Sequence, residues 1–566
     1  KALAIYLEIL DKNPTNFTYF DAASRCYINL KRYDELVQFI EKRLQAEPGN
    51  IQFQIRLGEA YLQKDEEEKA RQIWHRVLTD NPKNASNYRM VANAMLKHRL
   101  YDDGIAVYLK GREIVGRQEL FALELAQLHS YRFNYDRATD EYLRYIRANS
   151  RQLNYVEARI ASFKGSHETY EQVTSVLKNW IAQESGNPIY RKLLISVLLS
   201  YENFSAAFAE VKHLEEVKRE IKSKEIPGQE LFRFSQIALK ESRYEFAENA
   251  LRTIVSNHPD YPDRARVEYE LARTLYQQRR FDQALAAFDK VAAAHPGSIW
   301  AVESILARGD IFLNEKFSPD SAAQNYHTIV DHFPANKNRI HAYIRLGDVE
   351  VARGNLSEAE AYYLHAVQSP TKQGSAAGKN RVEGHLRLAE LAFYQGDFEK
   401  TRKYLKALLE VPSGNLSNEY VNDALELSLL LDQNEQDAFQ VLTDYAQATL
   451  LIKQHNLEEA ALQLKNLSDS FPSADLAPKA IFQYSRLKRE TGDYVSAVLG
   501  FNVLIGQYPQ NSLCDLALWE IGTIYEEDLR EPSKAIESYE SILVDYSESV
   551  LVENARKKIR SLEAKP

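Results

Sequence analysis

A small residue returns along this chain at a nearly constant step. Ala247, Ala284, Ala322 and Ala359 are spaced by 37, 38 and 37 residues, and Ala460, Ala497 and Ala535 by 37 and 38. Pro259, Pro296 and Pro334 keep the same rhythm of 37 and 38. Nearer the start the step is 34, from Pro48 to Pro82 and from Trp74 to Tyr108 to Tyr142, with Ala70, Gly104 and Ala138 in phase. A period of about 20–50 residues marks a chain made by stacking one small supersecondary unit. It also resolves a difficulty of size, since 566 residues are too many for one compact core.

Each unit reads as two helices. In the unit that starts at Arg264, Val267, Leu271, Leu275 and Tyr276 follow a helical spacing, a polar break runs from Gln277 to Arg280, and Ala284, Leu285, Phe288 and Val291 form a second apolar stripe. His295-Pro296-Gly297 ends the pair, because proline lacks an N–H and disfavours helix at the residue before it. Ser298 is the expected N-cap of the next helix, and Ser357 followed by Glu360 has the spacing of a capping box. Gly58, Ala272, Gly347, Ala389 and Gly522 fall where a first helix crosses its second, and Ala70, Ala284, Ala359 and Ala497 answer from the second. Trp74, Tyr142, Phe288, Tyr363, Phe501 and Tyr539 then fill the space between pairs, which gives many of the 34 tyrosines a packing role.

These marks resemble the tetratricopeptide repeat. The 51–84 unit carries Leu57-Gly58-x-x-Tyr61, Ala70, Trp74 and Pro82 and lacks only the first aromatic, where Gln54 stands; units around 264–297, 340–370 and 512–546 match well. The resemblance covers most of the chain, with about fourteen units including degenerate ones. It implies an all-α, right-handed superhelical solenoid of antiparallel helix pairs, in which first helices line a concave groove suited to an extended peptide or a partner helix. His295-Pro296-Gly297-Ser298, Phe471-Pro472-Ser473 and Tyr508-Pro509-Gln510-Asn511-Ser512 are similar to the longer repeats of bacterial envelope proteins, namely the outer-membrane assembly lipoproteins and the Tol-Pal coordinator family. The stretch from Asn554 to Leu562 resembles their terminal helix. That likeness implies a periplasmic or envelope setting, with a cytoplasmic one as the alternative.

Departures from the period divide the array. Residues 146–190 keep a helical rhythm without the small-residue marks. The charged stretch 211–230, broken by Pro227 and Gly228, reads as the end of a long helix and a seam. Lys372 to Lys379, with Gly374, Ser375 and Gly378, reads as a flexible insertion. Residues 411–445 carry a Pro412–Gly414 break and a helix pair without the marks. Three arrays are therefore expected: 1–225, 226–410 with 37–38-residue repeats, and 411–566 with a terminal capping helix.

Composition narrows the function. Lys and Arg total 71 against 80 Asp and Glu, a net charge of −9, which argues against a protein that coats nucleic-acid phosphates. No apolar run approaches the roughly 20 residues that span a bilayer. Cys26 and Cys514 are the only cysteines, which excludes a disulfide framework and a C-x-x-C metal site. No nucleophile elbow, H-E-x-x-H or phosphate-loop motif is present, and His167-Glu168 lacks a second histidine. No catalytic residue, metal or cofactor is expected. Lys1 stands where a chain would begin with Met, and Lys1 to Leu10 reads as mid-helix, so a removed N-terminal portion is expected.

What remains is a non-enzymatic scaffold or adaptor for protein or peptide partners. The alternative is a regulatory or sensor array whose effector domain preceded residue 1. Counted from the small-residue mark, groove positions include Phe232, Gln236 and Leu239; Arg266, Tyr269, Arg273 and Tyr276; Glu383, Leu386, Glu390, Phe393 and Tyr394; and Trp519, exposed in this register. Arg266 and Arg273 beside Tyr269 and Tyr276 would form a basic-aromatic stripe for an acidic or aromatic segment. The clamp that some relatives use for a terminal carboxylate needs Lys and Asn on successive first helices. Ile55 and Glu59, Tyr269 and Arg273, and Ile344 and Asp348 stand there instead, so the clamp is not carried over.

Overall fold

The computed structural model of the chain describes residues 1–564 except 15, 164, 335, 337, 370–374, 412–418 and 434–438, with the side chains of 375–378 also left aside. Among the described residues there are thirty-one α-helices and no strand. They fall into two compact units, Lys1–Pro262 and Asp263–Pro566.

The first unit contains α1 (Ala2–Lys12), α2 (Phe17–Asn29), α3 (Tyr33–Ala46), α4 (Ile51–Gln63), α5 (Glu67–Asp80), α6 (Ala85–Lys97), α7 (Tyr101–Val115), α8 (Ala122–Tyr131), α9 (Tyr135–Ala148), α10 (Leu153–Ala161), α11 (His167–Gln183), α12 (Pro188–Ser200), α13 (Phe204–Glu220), α14 (Gln229–Lys240) and α15 (Tyr244–Asn257). The second contains α16 (Arg264–Gln277), α17 (Phe281–Ala294), α18 (Ile299–Asn314), α19 (Pro319–His332), α20 (Arg339–Arg353), α21 (Leu356–Gln368), α22 (Ser375–Tyr394), α23 (Phe398–Leu409), α24 (Glu419–Gln433), α25 (Phe439–Lys453), α26 (Leu457–Ser470), α27 (Ala477–Glu490), α28 (Tyr494–Gln507), α29 (Cys514–Thr523), α30 (Pro532–Asp545) and α31 (Val552–Glu563).

The 34-residue step has a local cause at each helix start. Asn16, Asn50 and Asn84 each follow a proline by two residues, and each side chain accepts a backbone N–H from the first turn of the helix it caps. In the longer repeats Ser298 takes over, its Oγ accepting from Ala301 N–H at 3.1 Å, as expected. Ser357 does not cap. The helix starts one residue earlier, at Leu356, so Ser357 already lies inside it. Asn355 stands at the cap position, but its side chain donates to Glu350 at 2.7 Å.

Small residues at the crossings allow close approach as the spacing predicts, but what they face is the ring on their own pair's second helix, where Trp74, Tyr363 and Tyr539 were expected between pairs. A Cβ added at Gly58 would lie 2.3 Å from Trp74 Nε1, and one at Gly347 2.3 Å from Tyr363 Cε1; Gly309 and Gly522 stand the same way against Tyr326 and Tyr539. Those four aromatic rings are almost wholly buried. First helices of successive pairs touch one another (α4 with α6, α16 with α18, α20 with α22), so they form the crowded, concave layer of their unit.

Two of the four departures take definite form, and two lie partly outside the described residues. In 146–190, α11 packs against α9 and α12, and α10 against α12, so the two do not close as an ordinary pair. The break at 221–228 lies inside the first unit. Lys218 on α13 meets Glu225 at 2.6 Å and Glu230 at 3.3 Å, and the Glu215 carboxylate accepts Gly228 N–H at 2.8 Å. The charge-rich stretch thus ties α13 to α14. Of the expected insertion, 372–374 lie outside the described residues and 375–379 open α22 as helix. The Pro412–Gly414 break also lies outside the described residues. Cys26 and Cys514 sit in different helices, and burial pushes the Cys514 thiol up from its ordinary value.

Candidate partner-binding groove

On the concave layer of the second unit, three carboxylates stand directly after the small crossing residues: Asp310 after Gly309, Asp348 after Gly347 and Glu390 after Ala389. Two of them are held from below by the ring that fills the crossing. The Tyr326 hydroxyl donates to Asp310 Oδ1 and that of Tyr363 to Asp348 Oδ1, both at 2.8 Å. Two arginines share a register two residues before the crossing, Arg345 on α20 and Arg387 on α22. Arg345 reaches back to Asp310 (Nε, 3.2 Å), to its own Asp348 (Nη1, 2.8 Å) and forward to Glu383 (Nη1, 3.4 Å). Arg387 reaches back to Asp348 (Nε, 3.4 Å) and to its own Glu390 (Nη1, 2.6 Å). Each guanidinium therefore ties one first helix to another across the groove floor.

Burial sets the protonation of this ladder. It opposes the charge of Asp348, yet Arg387 and Arg345 prevail and hold that carboxyl below its usual range. Glu383, 1 % exposed, goes the other way: burial raises it despite Arg345 and Arg387. His341 faces Glu383 at 3.6 Å, and burial, with Arg345 nearby, depresses it to about 4. Burial keeps the Tyr363 and Tyr394 phenols well above their ordinary value.

Over the ladder lies a cavity of about 330 Å³, lined by Arg345, Asp348, Tyr363, Arg387, Glu390 and Tyr394 and bounded by Phe317, Ile452 and Lys453. Its roof is α25, which pairs with α26 and also packs against α20 and α22. The rings of Phe317 and His455, each at the tip of a helix-pair turn, stack with centroids 3.3 Å apart and close one side. Lys453 is exposed, and its ammonium makes no ion pair among the described residues.

Of the residues singled out from sequence, Tyr394 lines this cavity and Phe393 is buried in the core beside it. The basic-aromatic stripe lies on α16, and its members already have partners. The Arg266 guanidinium sits 5.7 Å from the Trp300 ring centre, and Tyr269 lies 5.2 Å from the same ring. Arg273 pairs with Glu270 at 3.3 Å, and the Tyr276 hydroxyl donates to Glu315 at 3.2 Å. Phe232 belongs to the first unit, half-buried, its ring 6.1 Å from Tyr261. Trp519, expected to be exposed, is half-buried with its ring 5.1 Å from that of Tyr539. Arg345 and Arg387 were not singled out. They stand 42 residues apart, off the 37–38 step, because extra residues lie between their repeats; counting each from its own crossing residue finds them.

Paired helices at a short, regular step, with ring-under-glycine crossings and a concave layer that carries the polar side chains, define a helical-repeat protein with a groove. Tetratricopeptide-repeat families match the sequence at residues 232–299 and 340–370, so the chain carries tetratricopeptide repeats there. No curated protein matches it significantly. Similar solved structures include a tetratricopeptide repeat protein from Parabacteroides merdae (14% identity, TM-score 0.30, covering 51% of this chain and 96% of that one). They also include Naa15/Naa10 bound to HypK-THB (12% identity, TM-score 0.27, covering 96% of each chain). A third is the Cut9-Hcn1 hetero-tetramer of the APC/C (12% identity, TM-score 0.25, covering 99% of this chain and 98% of that one). Among the described residues, no helix is long and apolar enough to cross a membrane.

Proposed function

We propose that the chain is a non-enzymatic scaffold that holds a segment of a partner protein in the groove of its second unit. The observation that carries this reading is the roofed cavity over the Arg345–Asp348–Arg387–Glu390 ladder, with Lys453 at its edge. Rigid, alternating charges recognise a segment that carries charge in matching order, because each partner group exchanges one ion pair for another without leaving a buried charge unpaired. The non-enzymatic part is supported by the lining chemistry: the phenols are pushed up and the carboxylates are engaged by guanidinium groups. The setting we propose is the bacterial envelope, supported by the resemblance of the later repeats. Fractionation of cells producing the native full-length protein tests it, and recovery in the cytoplasm would overturn it. The second reading, a regulatory array joined to an effector, is tested by the reading frame upstream of Lys1.

The groove assignment is tested by partner recovery from native lysate. Lys453→Glu changes an exposed side chain at the cavity edge, so the melting transition should hold while recovery drops by about tenfold. A parallel variant with Arg266→Glu and Arg273→Glu asks the same of the α16 stripe. Full recovery with Lys453→Glu would remove the cavity from the binding surface.

A further inference from the structure

The outward face of α28 carries a different kind of surface. Alone among the thirty-one helices, Tyr494–Gln507 contains no charged residue. Val495, Leu499 and Val503, four residues apart, stand in one ridge and are 68%, 60% and 43% exposed. On a chain with a net charge of −9, a ridge of this kind lets two copies approach with no charged side chain on the ridge itself. The ridge is also its own mirror in sequence. Run antiparallel about a two-fold axis at Leu499, Val495 faces Val503 of the other copy and Leu499 faces itself, the self-complementarity that an isologous contact requires.

The neighbouring helix extends the match. Leu462 on α26, 58% exposed, lies two residues after Ala460, as Leu499 lies two after Ala497. Both α26 and α28 pack on α27. The axis that pairs Leu499 with itself therefore brings Leu462 toward its own counterpart. Three residues before Leu462 is Glu459 and three after is Lys465, both exposed. Antiparallel pairing sets Glu459 of each copy opposite Lys465 of the other. Lys465 now holds only an exposed contact with Asp469 at 2.7 Å, which is weak enough to be exchanged. On α30 the same register holds Glu537, which would face its own copy. The contact is thus centred on α28 and spreads toward α26.

The geometry points to a symmetric homodimer formed through α28 and α26 of two copies of this chain. The contact is small, so the dimer is a weak one that forms at micromolar concentrations. Sedimentation equilibrium on the 566-residue chain tests it. The expected mass rises from the 65.1 kDa of one chain toward twice that value, with loading raised from about 1 to about 200 µM. Leu499→Glu, at an exposed position, should leave the melting transition unchanged and weaken association by about tenfold or more. Glu459→Lys alone should weaken it by about threefold, and Glu459→Lys with Lys465→Glu should restore it, which no loss of folding would mimic. A chain that stays at monomer mass throughout would overturn the proposal. So would a dimer indifferent to Leu499→Glu, or a monomer whose α28 face binds a lipid vesicle or an unrelated protein instead.

Discussion

His341 lies one turn before Arg345 on α20, and its surroundings decide how acid acts on the second unit. Its folded value of about 4 lies below the ordinary value of 6.5, because burial and Arg345 disfavour the imidazolium more than Asp310, Asp348 and Glu303 favour it. The unfolded chain therefore binds more protons at this site between pH 6.5 and 4, and stability falls as pH drops through that window. Asp348, held low, contributes stability that disappears only as pH falls through its depressed folded value. Glu383, held high, works the other way, and its contribution is lost as pH rises. His341→Gln should flatten the loss between pH 6.5 and 4 by about 1–3 kcal/mol, read from urea unfolding at both ends of the window. An unchanged slope would show that the ring titrates normally. None of this was legible in the sequence. There Asp348 marked only a clamp that is missing, since its value depends on Arg387, 39 residues away and beyond an irregular insertion.

Helix pairs close through one small residue and one ring; the sequence marked both residues but set the ring between pairs instead of under the crossing. Gly347 and Tyr363 were each marked by the period, but Gly347 was set against Ala359; the structure puts a Cβ added at Gly347 2.3 Å from the Tyr363 ring. The ring cannot step aside easily, since it is 2% exposed and its hydroxyl donates to Asp348. Gly347→Ala should cost about 1–3 kcal/mol by overpacking, and Gly347→Leu at least as much. In the double variant with Tyr363→Leu the two costs should fail to add, because removing the ring makes room for the new methyl. Equal, additive costs in denaturant melts would mean that the two residues do not meet. A helix start and an unmarked stretch were the places misread. Ser357 has cap spacing, but the cap lies where the backbone leaves the helix, a dihedral choice that spacing does not encode. The contacts of α25 with α20 and α22 were invisible because 411–445 has no crossing residues from which to count a register.

Across the whole chain, stability is expected to be local. A repeat buries its apolar faces mainly against its neighbours, so a lesion in one pair is felt next to it and fades with distance along the array. The four tryptophans make this measurable. Trp74 and Trp180 belong to Lys1–Pro262, and Trp300 and Trp519 to Asp263–Pro566. Trp74 is fully buried and its indole N–H donates to Ile55 O at 3.3 Å, so its emission reports the first unit's packing. Trp300, against Tyr269 and Arg266, reports the start of the second. In chains that keep only Trp74 or only Trp300, with the other indoles changed to Phe, Gly347→Ala should lower the urea midpoint seen by Trp300. The unfolding free energy seen by Trp74 should stay within about 0.3 kcal/mol of its parent. The two parent midpoints should also differ, since nothing in a nearest-neighbour array makes distant repeats unfold together. If Gly347→Ala moves both midpoints equally, the 566 residues unfold as one cooperative body, and stability is not divided along the repeats.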